Sequence, residues 1–248
     1  GTGQHQWWTV KGGSIEYVSR LETALLARGV KIHTGTPVES VTRDTTGGQI
    51  QAQGQELHSF DDIILACHSD QALAILGAGA TPAETGTLGA IRYQPNTAVL
   101  HCDETQMPKR RGCWSSWAYR SQEGGVGITY WMNRLQNIPE SDPLFVTLNP
   151  SKPIPADKVY DSVEFAHPVF DKPALQAQRK IQERQGTNNT WFAGAYNRNG
   201  FHEDGIASAM RIVRKMNSET AYATKGSDHD IDEQSPKVGI PGDLRATA

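Results

Sequence analysis

The amino-acid sequence predicts a mixed α/β fold in which an α/β lobe is interrupted by an antiparallel sheet. Helical periodicity and a short, continuous apolar strand occupy residues 14–76. Strand-like segments with little helix between them follow up to residue 166. A strand, a glycine turn and an amphipathic helix then return at residues 190–216. We therefore expect the α/β lobe to be built from two separate segments of the chain, one before and one after the sheet.

The first segment opens with a helix, for which Ser14 is a good N-cap and Gly29 a stop. The apolar face of this helix consists of Ile15, Val18, Leu21, Leu25 and Leu26. Strands are expected at residues 30–33, 38–43, 49–53 and 55–59. Residues 63–66 are continuously apolar, which is typical of a strand buried on both faces, and a helix is expected over residues 70–76.

A loop rich in glycine, alanine, threonine and proline, residues 77–89, is expected to join two lobes. Beyond it, strands are expected at residues 98–102, 113–119, 126–133, 144–148 and 162–166, and a polar helix over residues 173–185. After Met216 the chain is polar and lacks periodicity, so residues 217–248 are expected to be a disordered tail.

Composition excludes several classes of function. The 248 residues carry a formal net charge of −3, which argues against a nucleic-acid-binding surface. No apolar run approaches the roughly 18 residues that a membrane span requires. The three cysteines, Cys67, Cys102 and Cys113, form no C-x-x-C pair. Reduced thiols in a cytoplasmic protein without a metal site are therefore expected.

The strongest candidate for a functional site is the strand, turn and helix of residues 191–209, WFAGAYNRNGFHEDGIASA. Gly194 and Gly200 keep side chains out of the turn, and the helix N-terminus behind it presents free N–H groups and a positive dipole end. Glu203 and Asp204 favour the first turn of such a helix. The spacing is not the Gly-x-Gly-x-x-Gly of a dinucleotide-binding turn. On spacing alone, helix capping with close packing is the alternative to ligand binding.

The same stretch, continued as WFAGAYNRNGFHEDGIASAMRIV, resembles the C-terminal flavin motif of FAD-dependent amine-oxidase-like oxidoreductases. More narrowly, the chain is similar to the bacterial NAD/FAD-binding flavoproteins associated with cyclopropane fatty acyl synthases. Further segments carry this resemblance in order, from about residue 7 to residue 216: WWTVKGGSIEYVSRL, TGTPVESV, FDDIILACHSDQAL, FVTLNP and AHPVFD.

The sequence departs from this family in one feature. The family opens with a β-α-β unit that carries Gly-x-Gly-x-x-Gly, followed about 20 residues later by an acidic residue that holds the adenosine ribose. Neither is found in this sequence. The chain is therefore expected to be the C-terminal part of a longer flavoprotein, or a shortened relative, and to supply only part of a flavin site.

The resemblance implies a doubly wound FAD/NAD(P)-binding domain interrupted by a substrate domain with an antiparallel or mixed sheet. Residues 1–76 and 171–216 would belong to the FAD-binding domain, and residues 77–170 to the substrate domain. The implied FAD-binding residues are Val38, whose backbone would meet the adenine, and Gly194, Gly200, Glu203, Asp204, Gly205 and Ile206 at the turn. Backbone N–H groups, rather than the two carboxylates, are expected to face the phosphates. An ordinary core position is the alternative for Val38.

Side chains that could act on a substrate are fewer. His202, beside the turn, is the best candidate for a catalytic acid or base because histidine titrates near neutral pH, and helix capping is its alternative role. Trp117, Tyr119, Tyr130 and Trp131 alternate on the predicted sheet and are candidates for the lining of an apolar substrate cavity. Plain packing in the sheet core is the alternative for these aromatic residues.

These features predict an FAD-dependent oxidoreductase that passes hydride from a substrate C–H bond to flavin, on a small-molecule or acyl-lipid substrate. The rival prediction is a flavin-free ligand-binding or partner module that lacks the nucleotide fingerprint. A sheet edge left open by a missing N-terminal segment would favour a homo-oligomer. The expected location is cytoplasmic, with peripheral membrane contact left open.

Overall fold

The computed structural model describes residues 8–122 and 125–225, and in it the chain divides into two compact units. Within the described residues, one unit comprises residues 33–94 and 167–225, and the other comprises residues 8–32 and 95–166 without 123 and 124. The mixed α/β fold predicted from the sequence is confirmed. The assignment of residues 1–76, 77–170 and 171–216 to functional domains stays a prediction, and the borders of the compact units fall elsewhere.

Helices and strands follow one another in this order within the described residues. Helix α1 (Ser14–Leu26) precedes strands β1 (Val38–Arg43), β2 (Gly48–Ala52), β3 (His58–Phe60) and β4 (Ile63–Leu65). Helices α2 (Ser69–Leu76) and α3 (Pro82–Leu88) lead to strands β5 (Tyr93–His101), β6 (Trp117–Gln122) and β7 (Gly125–Trp131). Then come helix α4 (Met132–Gln136), strands β8 (Phe145–Leu148) and β9 (Val159–Pro168), helix α5 (Lys172–Arg184), strand β10 (Thr190–Phe192) and helix α6 (His202–Lys225).

Several elements differ from the expectation. Helix α3 occupies the expected interlobe loop, because Thr81 and Glu84 form a capping box and Pro82 takes the first helical position. Helix α4 interrupts the expected strands and ends at Asn137 in the left-handed conformation. Residues 30–33 form no strand. Helix α6 continues to Lys225, so residues 217–225 are helical rather than part of a disordered tail; residues 226–248 lie outside the described residues.

The unit that contains residues 33–94 is built around a parallel pair of strands. Strands β4 and β10 pair in register, with Thr190 opposite Ile63 and Phe192 opposite Leu65. Helices bury β10 and the Ile63 and Leu65 side of β4, but Ile64 is exposed, so β4 is not buried on both faces as the sequence predicted. The main core cluster consists of Val41, Ile63, Leu65, Ala72, Leu76, Leu88, Ile91, Ala174, Ala177, Ile181, Phe192 and Tyr196.

The two outer edges of this parallel pair differ. A side chain closes the edge of β10, because the Gln185 amide accepts a hydrogen bond from the Phe192 N–H and donates one to the Phe192 carbonyl, both at 2.8 Å. On β4 the register directs the N–H and C=O of Ile64 away from β10. Within the described residues these two groups have no partner, and the Ile64 side chain is 46% exposed. The edge of β4 is therefore open to another strand.

The other unit contains a sheet with the strand order β6-β7-β8-β5-β9. The register places Trp117 opposite Tyr130, Tyr119 opposite Ile128, and Ile128 opposite Leu148, so these side chains share one face. We call this the aromatic face; it is formed by Trp117, Tyr119, Ile128, Tyr130, Val146 and Leu148 and is partly exposed. The opposite face is buried, and its apolar cluster contains Met107, Trp131 and Phe145.

No helix among the described residues is long and apolar enough to cross a membrane. The cysteines Cys67, Cys102 and Cys113 are free. A search of the described residues finds no group of His, Cys, Asp or Glu side chains that could hold a metal ion.

Candidate functional site

The candidate site lies where strands β4 and β10 end. Because the two strands run parallel, the residues that follow them emerge at the same edge of the pair, which is where open α/β sheets bind ligands. Strand β4 leads to Cys67 and His68. Strand β10 leads to a turn, residues 194–201, that we call the β10–α6 turn because helix α6 begins directly after it.

Backbone geometry makes glycine necessary in this turn. Gly194 has φ 150° and Gly200 has φ 90°, which are conformations that side-chain-bearing residues rarely adopt. A Cβ atom at Gly194 would lie 2.6 Å from Cε1 of Tyr196, and one at Gly200 would lie 3.2 Å from Cε2 of Phe170. The turn therefore packs closely against its own Tyr196 and against Phe170, which precedes α5.

Asp204, one of the predicted FAD-binding residues, caps helix α6 instead of facing outwards. Its Oδ2 accepts hydrogen bonds from the N–H groups of Asn199 and Phe201, both at 3.1 Å, and its side chain is buried. The Arg198 Nε lies 3.9 Å from Asp204 Oδ1. A carboxylate that satisfies two N–H groups of the turn orders the turn, and a contact of Asp204 with a cofactor hydroxyl stays a prediction.

Backbone N–H groups remain available at the same place. Ala195 and Tyr196 begin a 3-10 turn, and His202 and Glu203 begin helix α6, so helix geometry leaves their N–H groups without a carbonyl partner. Within the described residues these four N–H groups have no hydrogen-bond acceptor. We call them the donor cluster. The positive end of the α6 dipole adds to their attraction for a negatively charged or electron-rich acceptor.

Helix α6 is tied to the turn through small residues. The Gly194 N–H donates to Ser208 Oγ at 2.9 Å, and Ser208 Oγ in turn donates to the Gly205 carbonyl at 2.6 Å. A Cβ atom at Gly205 would come within 3.9 Å of the Ala195 nitrogen. The first turn of α6 thus packs against Ala195 at ordinary contact distance, while Ile206 and His202 are exposed.

Val38 is the first residue of β1 and pairs with Ala52 beside a register shift between Val38 and Ser40. Its side chain is partly exposed, so it is not a core position. Whether its backbone meets an adenine stays a prediction.

The aromatic candidates separate into two groups. Trp117, Tyr119 and Tyr130 lie together on the aromatic face. Burial and the neighbouring Tyr119 raise the pKa of Tyr130, so its hydroxyl stays protonated at neutral pH. Trp131 lies on the opposite face and packs against Met107 and Phe145, because strand residues alternate between faces. The structure therefore removes Trp131 from the predicted cavity lining.

Sequence reasoning missed a buried aromatic group beside the turn. The Tyr196 side chain is buried, and its hydroxyl has no hydrogen-bond partner within the described residues. Burial raises the pKa of Tyr196. Near it, the Tyr93 hydroxyl accepts from the Ser69 N–H at 2.8 Å, and the Tyr93 ring stacks on His68 with centroids 4.5 Å apart. The aromatic residue in the Gly-Ala-Tyr-Asn stretch was the only sequence indication of this group.

These residues fit part of the FAD that the resemblance implies. FAD is rich in acceptors, on its pyrophosphate and on its flavin carbonyls, and the donor cluster with the α6 dipole offers donors for such atoms. Gly194, Gly200 and Gly205 add no side chain to the turn or to the first turn of α6. The residues that would hold FAD here are therefore Ala195, Tyr196, His202 and Glu203 through their backbones.

Comparisons with known proteins show the family and the fold of the chain. A profile of the flavin-containing amine oxidoreductases matches residues 1–143. Wild-type putrescine oxidase bound to putrescine is 13% identical over 86% of this chain and 53% of its own, with a TM-score of 0.56. Cyclohexylamine oxidase from Brevibacterium oxydans is 11% identical over 84% of this chain and 53% of its own, with a TM-score of 0.53. No curated protein matches the chain.

The two solved structures share the fold of this chain, and the chain spans about half of their length. The family profile covers more than half of the 248 residues. The chain belongs to the family of flavin-containing amine oxidoreductases.

Proposed function

We propose that this chain forms part of an FAD-dependent oxidoreductase and that its β10–α6 turn binds the cofactor. The observation that carries the proposal is the donor cluster, four N–H groups without acceptors within the described residues, at the carboxyl end of a parallel strand pair. When bound, FAD supplies the hydride acceptor for oxidation of a substrate C–H bond.

In this proposal the residues of the chain bind and polarise the cofactor, and they do not themselves react. The donor cluster donates hydrogen bonds to cofactor oxygens, and the positive end of the α6 dipole stabilises negative charge beside it. Asp204 keeps the turn in shape by accepting hydrogen bonds from the N–H groups of Asn199 and Phe201. His202 is exposed at the start of α6, within reach of solvent protons, and its role in proton transfer stays a prediction.

The proposed substrate is apolar, with an acyl lipid as the specific candidate. This part of the proposal is supported by the aromatic face, whose Trp117, Tyr119 and Tyr130 lie beside Ile128 and Leu148 without a charged side chain among them. Such a surface binds a hydrocarbon chain by removing it from water and offers little to a charged amine. The same surface favours the second candidate function, a flavin-free module that binds an apolar ligand.

The open edge of β4 bears on how the cofactor site is completed. The family that the chain resembles carries its nucleotide fingerprint on a β-α-β unit, and a parallel strand from such a unit would find unpaired N–H and C=O groups at Ile64. We expect that strand to pair there and to bring the second half of the FAD site to the carboxyl end of β4.

The test is an absorbance spectrum of the purified chain after incubation with FAD and removal of free cofactor. Flavin bands near about 450 nm that elute with the protein are expected. The Ala195→Pro variant removes one N–H of the donor cluster at a helix start, where proline is tolerated, and should lower the retained flavin.

Ser14→Pro is the matched control, because it places proline at the exposed start of α1. Equal retention by the wild type and both variants would remove the donor cluster from the site. No retention by the wild-type chain would contradict the proposal that this chain holds FAD. Titration with a fatty acid, followed by tryptophan fluorescence, then decides whether the apolar-ligand module is the better description.

A further inference from the structure

Three glutamines in and directly after helix α5 contact the end of β10 and the turn that follows it. Gln178 and Gln182 lie in α5, and Gln185 follows its last residue, so that the three form a row spaced four and three residues apart. We call this row the glutamine ladder. Each of its side-chain amides is hydrogen bonded to a residue between Phe192 and Arg198.

The lowest rung, Gln185, binds the last residue of β10. Gln185 pairs through both amide atoms with the backbone of Phe192, at 2.8 Å in each direction. Its side chain is buried, so neither hydrogen bond is exchanged easily with water. The rung fixes the point at which β10 leaves the sheet.

The middle rung, Gln182, sets the orientation of the Asn197 side-chain amide. Gln182 Nε2 donates to Asn197 Oδ1 at 3.1 Å. This leaves Asn197 Nδ2 to donate to the carbonyls of Phe192 and Gly194, at 3.3 and 3.1 Å. Because an amide oxygen cannot donate, Asn197 can make these two contacts only while its oxygen faces a donor such as Gln182.

The upper rung, Gln178, binds the backbone of the β10–α6 turn itself. Gln178 Nε2 donates to the carbonyls of Tyr196 and Arg198, at 3.0 and 2.5 Å. In the peptide that joins Arg198 to Asn199, the oxygen is therefore held by Gln178 and the N–H by Asp204. A trans peptide points these two groups in opposite directions, so α5 and the start of α6 hold the same peptide plane from its two sides.

We propose that the glutamine ladder is the positioning device of the donor cluster and thereby sets how tightly the chain binds an acceptor-rich cofactor such as FAD. Gln178 holds the carbonyl groups of Tyr196 and Arg198. Through Asn197, the ladder also holds the Gly194 carbonyl, whose peptide carries the Ala195 N–H of the donor cluster. None of the three glutamines needs to contact the cofactor. The inference rests on the proposed function for the identity of the ligand, and on the hydrogen bonds alone for the shape of the turn.

The chemistry of the upper rung provides a sharp test. Gln178 faces two carbonyl oxygens, so it must be a donor. Glutamate has the same shape but is an acceptor when ionised, and Gln178→Glu would set a carboxylate against both oxygens. A carboxyl group in that position has its pKa raised, and once protonated it can donate to one of the carbonyls again. The defect should therefore reverse on acidification.

Hydrogen exchange of the turn amides, residues 194–201, in the absence of FAD is the first measurement. At about pH 7.5 the Gln178→Glu variant should lose about tenfold in protection, the loss of roughly one hydrogen bond, and recover most of it near pH 5 after correction for intrinsic exchange. Gln176→Glu, with the same charge change at an exposed position of α5, should match the wild type at both pH values.

The dissociation constant for FAD is the second measurement, at the same two pH values. It should rise about tenfold in Gln178→Glu at about pH 7.5 and return towards the wild-type value near pH 5. Gln178→Ala, which removes the donor without adding charge, should show a smaller rise that does not depend on pH. It also serves if the glutamate variant fails to fold.

The outcomes separate the two proposals. Unchanged protection of the turn in both Gln178 variants overturns the ladder as a positioning device. A loss of protection with an unchanged FAD dissociation constant overturns its link to cofactor binding. If the wild-type chain binds no FAD, the proposed function fails, and the exchange measurement alone decides whether the ladder shapes the turn.

Discussion

Helices α1 and α5 are equally long, at thirteen residues each, and both are amphipathic, yet they differ completely in burial. Helix α5 buries Ala174, Ala177 and Ile181 in the core of its unit. Helix α1 buries no residue, and its Ile15 and Leu21 are 66% and 53% exposed. An amphipathic pattern thus indicates a helix and its apolar side, but it does not say whether that side has a partner.

The ends of the two helices show the same contrast. The Asp171 carboxylate caps α5 through the Ala174 N–H at 3.0 Å and binds Arg92 at 2.8 Å. Helix α1 begins at Ser14, and Gly13, not Ser14 as predicted, is its N-cap, without a side-chain hydrogen bond. Tertiary contacts therefore reinforce α5 at its end and along its face, whereas α1 depends on its own propensity.

Loss of an ion pair should give the largest difference in unfolding free energy between the α5 unit and helix α1. The buried pair in the α5 unit joins Arg43 Nη2 to Glu84 Oε2 at 2.5 Å, whereas the pair in α1 joins Arg20 to Glu16 at 3.8 Å in solvent. Glu84→Gln should lower the free energy of unfolding by about 3–5 kcal/mol, because it leaves the Arg43 charge buried without a counter-charge. Urea unfolding followed by circular dichroism measures this loss.

Glu16→Gln is the matched control and should change the free energy of unfolding by less than about 0.5 kcal/mol. Within the described residues, Arg43 Nε and Nη1 already lack partners, which increases the dependence on Glu84. Similar losses in the two variants would mean that burial does not distinguish these pairs.

Core truncation should give the next largest difference. Ile181→Ala removes a fully enclosed side chain from α5 and should cost about 2–5 kcal/mol, from lost burial and the cavity left behind. Leu21→Ala in α1 should change stability by less than about 0.5 kcal/mol, since its side chain is already in water. The same urea experiment tests both. A large loss in Leu21→Ala would reveal that α1 has a partner in solution.

Lowering the pH should gradually reduce the stabilisation from the buried Arg43–Glu84 pair, an effect smaller than those of the two substitutions above. Burial alone would raise the pKa of Glu84, but hydrogen bonds from Arg43 and Thr81 outweigh it and hold the pKa below its ordinary value of 4.5. A carboxylate whose pKa is lower in the folded state stabilises the fold fully above the unfolded-state pKa and loses this contribution as the pH falls through the folded-state value.

The difference in unfolding free energy between the wild type and Glu84→Gln should therefore be constant from about pH 7 down to about pH 5 and shrink below about pH 4.5. Urea melts at several pH values measure it. A difference that grows on acidification would have the wrong sign for an ionised Glu84.

Much of the fold could be predicted because local patterns carried it. The strand within residues 63–66, the polar helix after residue 172 and the glycine turn before α6 all follow from periodicity and turn chemistry, although Ile64 is exposed rather than buried. Helix α3 was missed although its capping box, Thr81 and Glu84, was visible, because the glycine and threonine content favoured a loop. The extension of α6 was missed because its last turns lack an apolar stripe.

The candidate site was predictable in position but not in detail. The sequence indicated the turn, and the structure adds that Asp204 accepts hydrogen bonds from two of its N–H groups, while its cofactor contact stays a prediction. Which face a strand residue occupies depends on register, so only the structure could separate Trp131 from Trp117 and Tyr130. The glutamines of α5 had the right spacing, but nothing local says what a polar side chain will contact.

By itself, the sequence determined the elements of this chain, its glycine turns and its resemblance to a flavoprotein family, because periodicity, backbone conformation and motif letters are local properties. Only the tertiary structure decided which N–H groups stay unpaired, which edge of the parallel pair is open and which amphipathic helix is buried. These depend on contacts between residues far apart in the chain, such as Gln178 with Arg198 and Arg43 with Glu84. Hydrogen-bond partners and burial are set by where the chain returns, and sequence spacing does not encode that return.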